Sequence, residues 1–547
     1  MQNPFSISGH IVDVVSGKIF PGKIIIEDGK IATVTLCDVS ETHYILPGLI
    51  DAHVHIESSM LVPAEFARLA VVHGTTATVS DPHEIANVLG MEGVDFMISN
   101  GNLSPFKFHF GAPSCVPATG FESSGAVINA AQIGELLQRN DIVCLSEMMN
   151  FPGVIFADAE VHQKLAFAKK YNKPVDGHAP GLDSENIKKY AAAGITTDHE
   201  CTNIAEAIDK INAGMHILIR EGSAARNFDA LVPLLESNPE KVMFCSDDKH
   251  PDDLVAGHIN LLIKRAIKAG YNQMDVFRAC TLNPVKHYKL SCGLLQPGDA
   301  ADFIIVDNLE NFTIQQTYID GILVANYAKS LLPSDSYEKP NRFLASQISK
   351  SDLEVSAGKG KLKVIKAFDG DLVTGKIFAD QIIAEGKVQT DILNDILKIT
   401  VINRYEPSKP AIAFINGFGL KRGAIASTVA HDSHNIICIG TNDTHMVAVI
   451  NSLVENKGGI AVTDGQKLDV LPLPVAGLMS SADGFEVAKL YELINQKAVA
   501  LGGSLKAPFM TLSFMALLVI PELKLSDKGL FDGIKFSFTE LFENDSK

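Results

Sequence analysis

The sequence predicts an α/β protein: a (β/α)8 barrel, a small β-sandwich built from both flanks of that barrel, and an additional C-terminal α+β domain. Three observations carry the prediction. Short β-branched or apolar runs alternate with helical stretches over residues 47–295. Strand-rich pieces of one character precede and follow that alternation. A segment rich in Pro, Ser and Asp, LLPSDSYEKPNRF, then breaks the rhythm and reads as a linker or surface loop.

Residues 1–46 read as short strands and turns, IVDVVSGKIF and GKIIIEDGKIATVTL, with EDGK at 27–30 a hairpin signal. The same character returns in DAADFIIVDN and TYIDGILVA, so 1–46 and 296–345 are assigned to one small β domain. Between them lie eight candidate strands: LIDAHVHI, TTATVSDP, FKFHFGAPS, IVCLSEMMN, PVDGHAP, TTDHE, HILIREGS and VMFCSDD. Patterns such as AEFARLAVVHG, AQIGELLQRN, AEVHQKLAFAKKYN and SENIKKYAAAG separate them, with helical period and glycine or asparagine stops. Eight such units in about 250 residues match a closed barrel. A doubly wound open sheet has the same rhythm, and counting units does not separate the two. Residues 355–547 form the last domain. Within it LVTGKIFADQIIAEGKV echoes VVSGKIFPGKIIIEDGKI near the start, either as two similar hairpins or as a chance likeness of turn-rich strands.

The chain has 547 residues, 46% of them hydrophobic, enough for several cores. Its 47 basic and 64 acidic residues give a net charge of −17. Such a surface repels phosphate backbones and anionic membranes, so neither nucleic acid nor membrane is expected as a partner. The opening MQNPFSISGHIVDVV lacks the basic and apolar regions of a signal peptide. No apolar run reaches membrane-spanning length. Eight scattered cysteines without a CxxC pair fit free thiols in a reducing cytoplasm.

The chemistry collects where the predicted strands stop. His53 and His55 lie two apart on the first strand, so both side chains share a face. The fourth strand ends at Glu147, the fifth at His178, the sixth at His199 and the eighth at Asp247 and Asp248. Any one of these is explained by a loop beginning. Four imidazoles and two carboxylates on one barrel rim instead predict a metal centre. His53, His55 and one oxygen of Glu147 are expected to hold one ion, and the other oxygen, with His178 and His199, a second. Asp247 completes the first or stands beside the bridging solvent. Nitrogen and oxygen donors without thiolate suit Zn, Mn or Fe without choosing among them. Two divalent ions make an activated water at neutral pH, and Asp247 beside it can move the proton. This is hydrolytic machinery.

PGLIDAHVHIESSM, the Glu147 carboxylate, GHAPGL, DHE and CSDDKHPDD resemble the amidohydrolase superfamily. HGTTATVSDPHEIANVLG, PSCVPATGFESSGA, IREGSAARN, GFGLKRGAIASTVAHDSHNI and GLMSS extend the likeness to nearly the whole chain, and resemble more narrowly the bacterial adenine deaminase family. That resemblance implies adenine and water giving hypoxanthine and ammonia, a distorted barrel with a flanking β-sandwich, and a homodimer or higher homo-oligomer. In the reaction so expected, Asp247 takes the proton of the water, and His199 or the metal stabilises the developing charge. Dihydroorotase-like and hydantoinase-like relatives bridge their metals with a carboxylated lysine on the fourth strand, where this chain has Glu147. The PCxxC deaminase motif is absent. Relatives commonly place threonine before the paired aspartates; here it is Ser246. Two rival readings stand: an amidohydrolase of another aminopurine or a cyclic amide, and a barrel scaffold without chemistry.

His83, Glu84, Ser59, Arg220 and Asp248 are the candidates for substrate contact, with Glu84 also a candidate proton shuttle. For Glu84 a helix-terminus acid is an equal reading. For Arg220 a surface ion pair is the more ordinary one, and for Ser58 and Ser59 a turn or helix cap. HDSHN, residues 431–435, is either a further metal site or, the favoured reading, a hydrogen-bonded turn closing over the barrel mouth. His73 and His109 read as structural.

Overall fold

The computed structural model describes residues 4–369, 371–503 and 505–543, so the outermost ends of the expected domains, 1–3 and 544–547, lie outside the described residues. Eight parallel strands follow one another around a ring: Leu49–His55, Thr75–Ser80, Lys107–Ala112, Ile142–Met148, Val175–Gly177, Thr197–Asp198, His216–Arg220 and Val242–Cys245. Ladders run unbroken from the first to the fifth and from the sixth to the eighth. The eighth strand bends after Cys245. Its continuation, Asp247–Asp248, pairs with Val54 and His55 of the first strand. The sheet therefore returns to its start, and the open doubly wound alternative falls. Between the fifth and sixth strands the ladder is replaced by single bonds, with Thr196 N–H donating to the Val175 carbonyl at 2.8 Å.

Small and apolar side chains from opposite sides of the ring, including Ile50, Ala52, Ala77, Val79, Leu218 and Met243, form one buried cluster. This fills the interior as barrel cores are filled and leaves the carboxyl ends of the strands to polar groups. Helices cover the outside. Ala130–Gln138 starts with a reciprocal cap: Asn129 Oδ1 accepts from Gln132 N–H at 3.1 Å, and Gln132 Oε1 accepts from Asn129 N–H at 3.0 Å.

Both flanks join in one sheet. Four strands precede the barrel (Phe5–Asp13, Lys18–Glu27, Lys30–Leu36, Tyr44–Pro47) and four follow it (Phe303–Val306, Ile314–Ile319, Ile322–Asn326, Lys329–Ser330). The halves meet where Phe303–Val306 runs antiparallel to Tyr44–Pro47. Ile11, Ile24, Ile45 and Phe303 form the core of this unit. Leu46, Ile304 and Val306 pack into the barrel's helical layer instead. The expected sandwich is thus hydrogen-bonded as a single sheet of eight strands.

Residues 331–349 contain no regular element but are tied down, with Ser334 Oγ donating to Glu65 at 2.6 Å and Ala476 N–H to the Pro340 carbonyl at 2.7 Å. The C-terminal region is built on a second large sheet whose strands Leu397–Ile402 and Ile436–Gly440 are buried throughout. Helices Asp443–Asn456 and Gly484–Ala500 flank it. The two echoing segments both contain a hairpin, with Gly29 and Gly386 in its turn at positive φ. The C-terminal region sits against the barrel mouth: Gly484 N–H donates to Glu65 at 2.9 Å, and Ser480 N–H to the Met60 carbonyl at 2.7 Å. One buried apolar cluster runs through both, from Val54 and Phe66 to Ile399 and Phe509.

Candidate metal centre

Closure of the barrel brings His53, His55, Glu147, His178, His199 and Asp247 together at the carboxyl ends of five strands. Glu147 stands in the middle. Its Oε1 lies 3.3 Å from His55 Nε2, and its Oε2 lies 2.8 Å from His178 Nδ1 and 3.2 Å from His199 Nε2. Asp247 Oδ1 is 3.2 Å from His55 Nε2 and 3.8 Å from His53 Nε2. The His53 ring stacks on His199 with centroids 4.3 Å apart. The HxH pair does reach one place, as strand alternation requires.

The donor set fits divalent metal. Three groupings of rim residues meet at ligand separation: His53–His55–Asp247, His53–Glu147–His199 and His178–His199–Glu200; Glu84–His431–His434 make another on the side of the C-terminal region. Buried His53 Nε2 has no hydrogen-bond partner, and neither has His178 Nε2. Buried polar atoms are normally paired, so these are atoms waiting for one. No cysteine belongs to any such grouping among the described residues, which selects borderline and hard cations over soft ones. His83, expected as a substrate contact, lines the cavity and also sits among the ligand candidates. Its Nδ1 is 3.2 Å from Asp81 and 3.5 Å from Glu147, and Asp81, His83, His55 and Glu147 make a further grouping.

Charge around the rim is organised by Arg220. This residue is 7% exposed and is not the surface ion pair that its position at a strand end suggested. Its guanidinium forks onto Glu200, with Nη2 donating at 2.9 Å, and Nη1 donates to Asp247 Oδ2 at 2.5 Å. Burial pushes the Asp247 carboxyl up, but Arg220 and then the bond from His55 outweigh it and hold the group well below the usual carboxylate range. Burial opposes charge on His178 too, yet Glu200 and Glu147 raise it to about 9. His53 goes the other way, lowered by burial first and by His199 and His55 next.

Beneath the rim, the Asp51 carboxylate accepts from Ser246 N–H at 3.0 Å and from His258 Nε2 at 2.8 Å. Ser246 Oγ also donates to Asp51 Oδ2. The hydroxyl therefore locks the bend that presents Asp247.

Of the remaining candidates, Asp248 lines the cavity and accepts from Ser58 Oγ at 2.6 Å. Ser59 does not serve as proposed from sequence. It is fully buried and its Oγ donates to the Ile56 carbonyl at 2.6 Å, closing its own turn. Ser58 is the one that faces the site, bonding also to Glu84 Oε1 at 2.9 Å. Glu84 is buried in the first turn of His83–Leu89, and its Oε2 is unpartnered. Asp81 and Glu200 escaped the sequence reading, although each is adjacent in sequence to a named motif residue or one removed from it: Glu200 is the last residue of DHE, and Asp81 begins DPH.

The opposite wall comes from the C-terminal region. His431 and Asp432 face the cavity with Leu372, Phe514, Leu517 and Val519. HDSHN forms a turn over the barrel mouth, the reading favoured from sequence, and its His431 and His434 also meet Glu84 at ligand separation, the geometry that the alternative metal reading requires. The cavity between rim and wall is partly open, with about 30 Å³ of room for the centres of water-sized molecules.

The fold and its rim define an amidohydrolase: the sequence profile described as "Amidohydrolase family" matches residues 44–324. A second profile, "Adenine deaminase C-terminal domain", matches residues 371–537. A curated adenine deaminase of Sulfurovum sp. (strain NBC37-1) is 52% identical over 535 residues, covering 98% of this chain and 99% of that one. Those of Salinibacter ruber and Methanosarcina barkeri are 50% and 52% identical, covering 99% and 98% of this chain and 100% and 98% of their own. The chain belongs to the adenine deaminase family of the amidohydrolases. Among the described residues, no helix is long and apolar enough to cross a membrane.

Proposed function

We propose that the protein hydrolyses adenine to hypoxanthine and ammonia with two divalent ions. The observation that carries this reading is the convergence of six ligand-type side chains on one buried rim in a chain of this family. His53, His55, Asp247 and Glu147 Oε1 would hold one ion, and Glu147 Oε2, His178 and His199 the other. Bound Mn, Fe or Zn would supply Lewis acidity and an activated water.

The protein's own residues supply the rest. Asp247, aimed by Arg220 and by the bend after Cys245, takes the proton of the attacking water and returns it to the leaving amine. His199 stabilises charge that develops on the tetrahedral carbon's substituents. Glu84, raised above the usual carboxyl range chiefly by burial, keeps a proton for a purine ring nitrogen. Adenine is uncharged near neutral pH, so the acidic chain does not repel it. All eight cysteines are free thiols, which supports a cytoplasmic setting. Assembly as a homodimer or higher belongs to the same proposal.

The test is turnover of a panel. Protein loaded with Mn(II) is given adenine, guanine, cytosine and hydantoin, and ammonia and absorbance are followed. Ammonia from adenine, with the others idle, supports the reading; a metal-loaded protein that leaves adenine intact ends it.

A further inference from the structure

We infer that adenine is read by the C-terminal region: His431 and Asp432 form the hydrogen-bonding wall against which an edge of the purine docks. This rests on the adenine reading above and assigns the recognition step to residues outside the barrel.

The turn that carries them is held from both sides. Asn435 Nδ2 donates to the Ser123 carbonyl of the barrel region at 2.9 Å, and Tyr405 O–H donates to the Ser433 carbonyl at 2.6 Å. His431 N–H donates to the Ser513 carbonyl at 3.2 Å. The His431 ring is fixed in rotation by stacking on Phe514, centroids 4.9 Å apart and planes 18° apart. These contacts leave the two side chains little freedom.

Both face the cavity, and on that wall they are the polar groups amid apolar ones. Each is 3% exposed, and each keeps one atom without a partner, Nε2 of His431 and Oδ2 of Asp432. Their other atoms are engaged within the site: Asp432 Oδ1 lies 3.6 Å from His431 Nδ1 and 3.8 Å from His83 Nε2, and His431 Nδ1 lies 3.9 Å from Glu84 Oε1. A buried polar atom left unmatched is destabilising, so these two positions are suited to a bound molecule.

The chemistry of that molecule follows from the pair. A carboxylate only accepts hydrogen bonds, and an imidazolium only donates them. His431 can therefore donate from its unpartnered Nε2 while Asp432 accepts at its unpartnered Oδ2. Adenine offers the complement on each edge: N6–H beside N1, N6–H beside N7, N9–H beside N3. The apolar side chains of the same wall, Phe514 and Leu517 among them, can cover the faces of a ring.

The test uses Asp432→Asn and His431→Phe in the metal-loaded full chain; the second keeps the stack on Phe514. Each should raise KM for adenine by about 10²-fold, the weight of a hydrogen bond to a charged group, with metal per chain as in wild type. Wild-type KM and kcat in both variants would overturn the inference, as would loss of metal with KM unchanged. A measurement on the wild type stands apart from variant folding. Photolabelling with 2-azidoadenine and with 8-azidoadenine covers every docking edge: one or the other should mark the peptide holding 428–435, and label confined to barrel peptides with both would overturn the assignment. A wild type that does not deaminate adenine removes the reading beneath; normal wild-type turnover with unaltered variants removes only this one.

Discussion

Asp247 has a left-handed backbone, φ 56°, which costs a non-glycine residue roughly 1–2 kcal/mol. The bond from Arg220 and the approach of His55 offset that strain and place the carboxylate between base and ligand duty. Asp247→Asn should retain bound metal while lowering kcat by about 10²–10⁴-fold, the usual weight of general base catalysis. Metal analysis beside steady-state kinetics checks it, and wild-type kcat would remove the base. Glu147→Gln is expected to behave differently. Its two oxygens face different imidazoles, so the variant should lose one or both ions and at least about 10²-fold in turnover with its circular dichroism unchanged. Full metal content in that variant would contradict the shared position. These residues were readable in the sequence because each ends an apolar run, and because HxH on a strand puts two rings on one face. Ser58 and Arg220 were named as candidates without their partners. Which of two adjacent serines turns inward depends on a turn whose hydroxyl closes onto Ile56, and Arg220 is buried by acids from two other strands.

The element that decides the site is the junction of the eighth and first strands. There Asp51 receives Ser246 N–H, Ser246 Oγ and His258, all buried. Asp51→Ala would leave those donors unmatched at about 1–3 kcal/mol each. Unfolding in guanidinium should show a loss of at least about 3 kcal/mol on that scale, and a loss below about 1 kcal/mol would mean the junction is held otherwise. The barrel strands were recognisable from apolar runs bounded by turn residues. The pairing of Phe303–Val306 with Tyr44–Pro47, and with it a single flanking sheet, was not, because no local period records which distant strand lies alongside. The short fifth and sixth strands, Val175–Gly177 and Thr197–Asp198, leave their ladder incomplete, a distortion that spacing alone does not reveal.

At the scale of the molecule, barrel and C-terminal region share one apolar cluster and polar ties such as Glu65 to Gly484 and Arg68 to Asp483, the latter at 2.8 Å. Shared burial couples their unfolding. Scanning calorimetry of the metal-loaded chain should therefore give one endotherm; two separated endotherms would show the regions to be independent. The sequence carried the C-terminal region as a separate mixed domain, with HDSHN as its one ligand-like cluster. Its closing over the barrel mouth was the favoured reading, but which of its side chains face the cavity was not legible, since they lie nearly two hundred residues beyond Asp247.

The claim on which the rest depends is that these side chains gather two cations at the mouth of the barrel. Anomalous diffraction from crystals of the metal-loaded protein tests it directly. The account predicts two peaks, one among His53, His55, Asp247 and Glu147, the other among Glu147, His178 and His199. Peaks elsewhere, or a fully active protein with none at this rim, would contradict it.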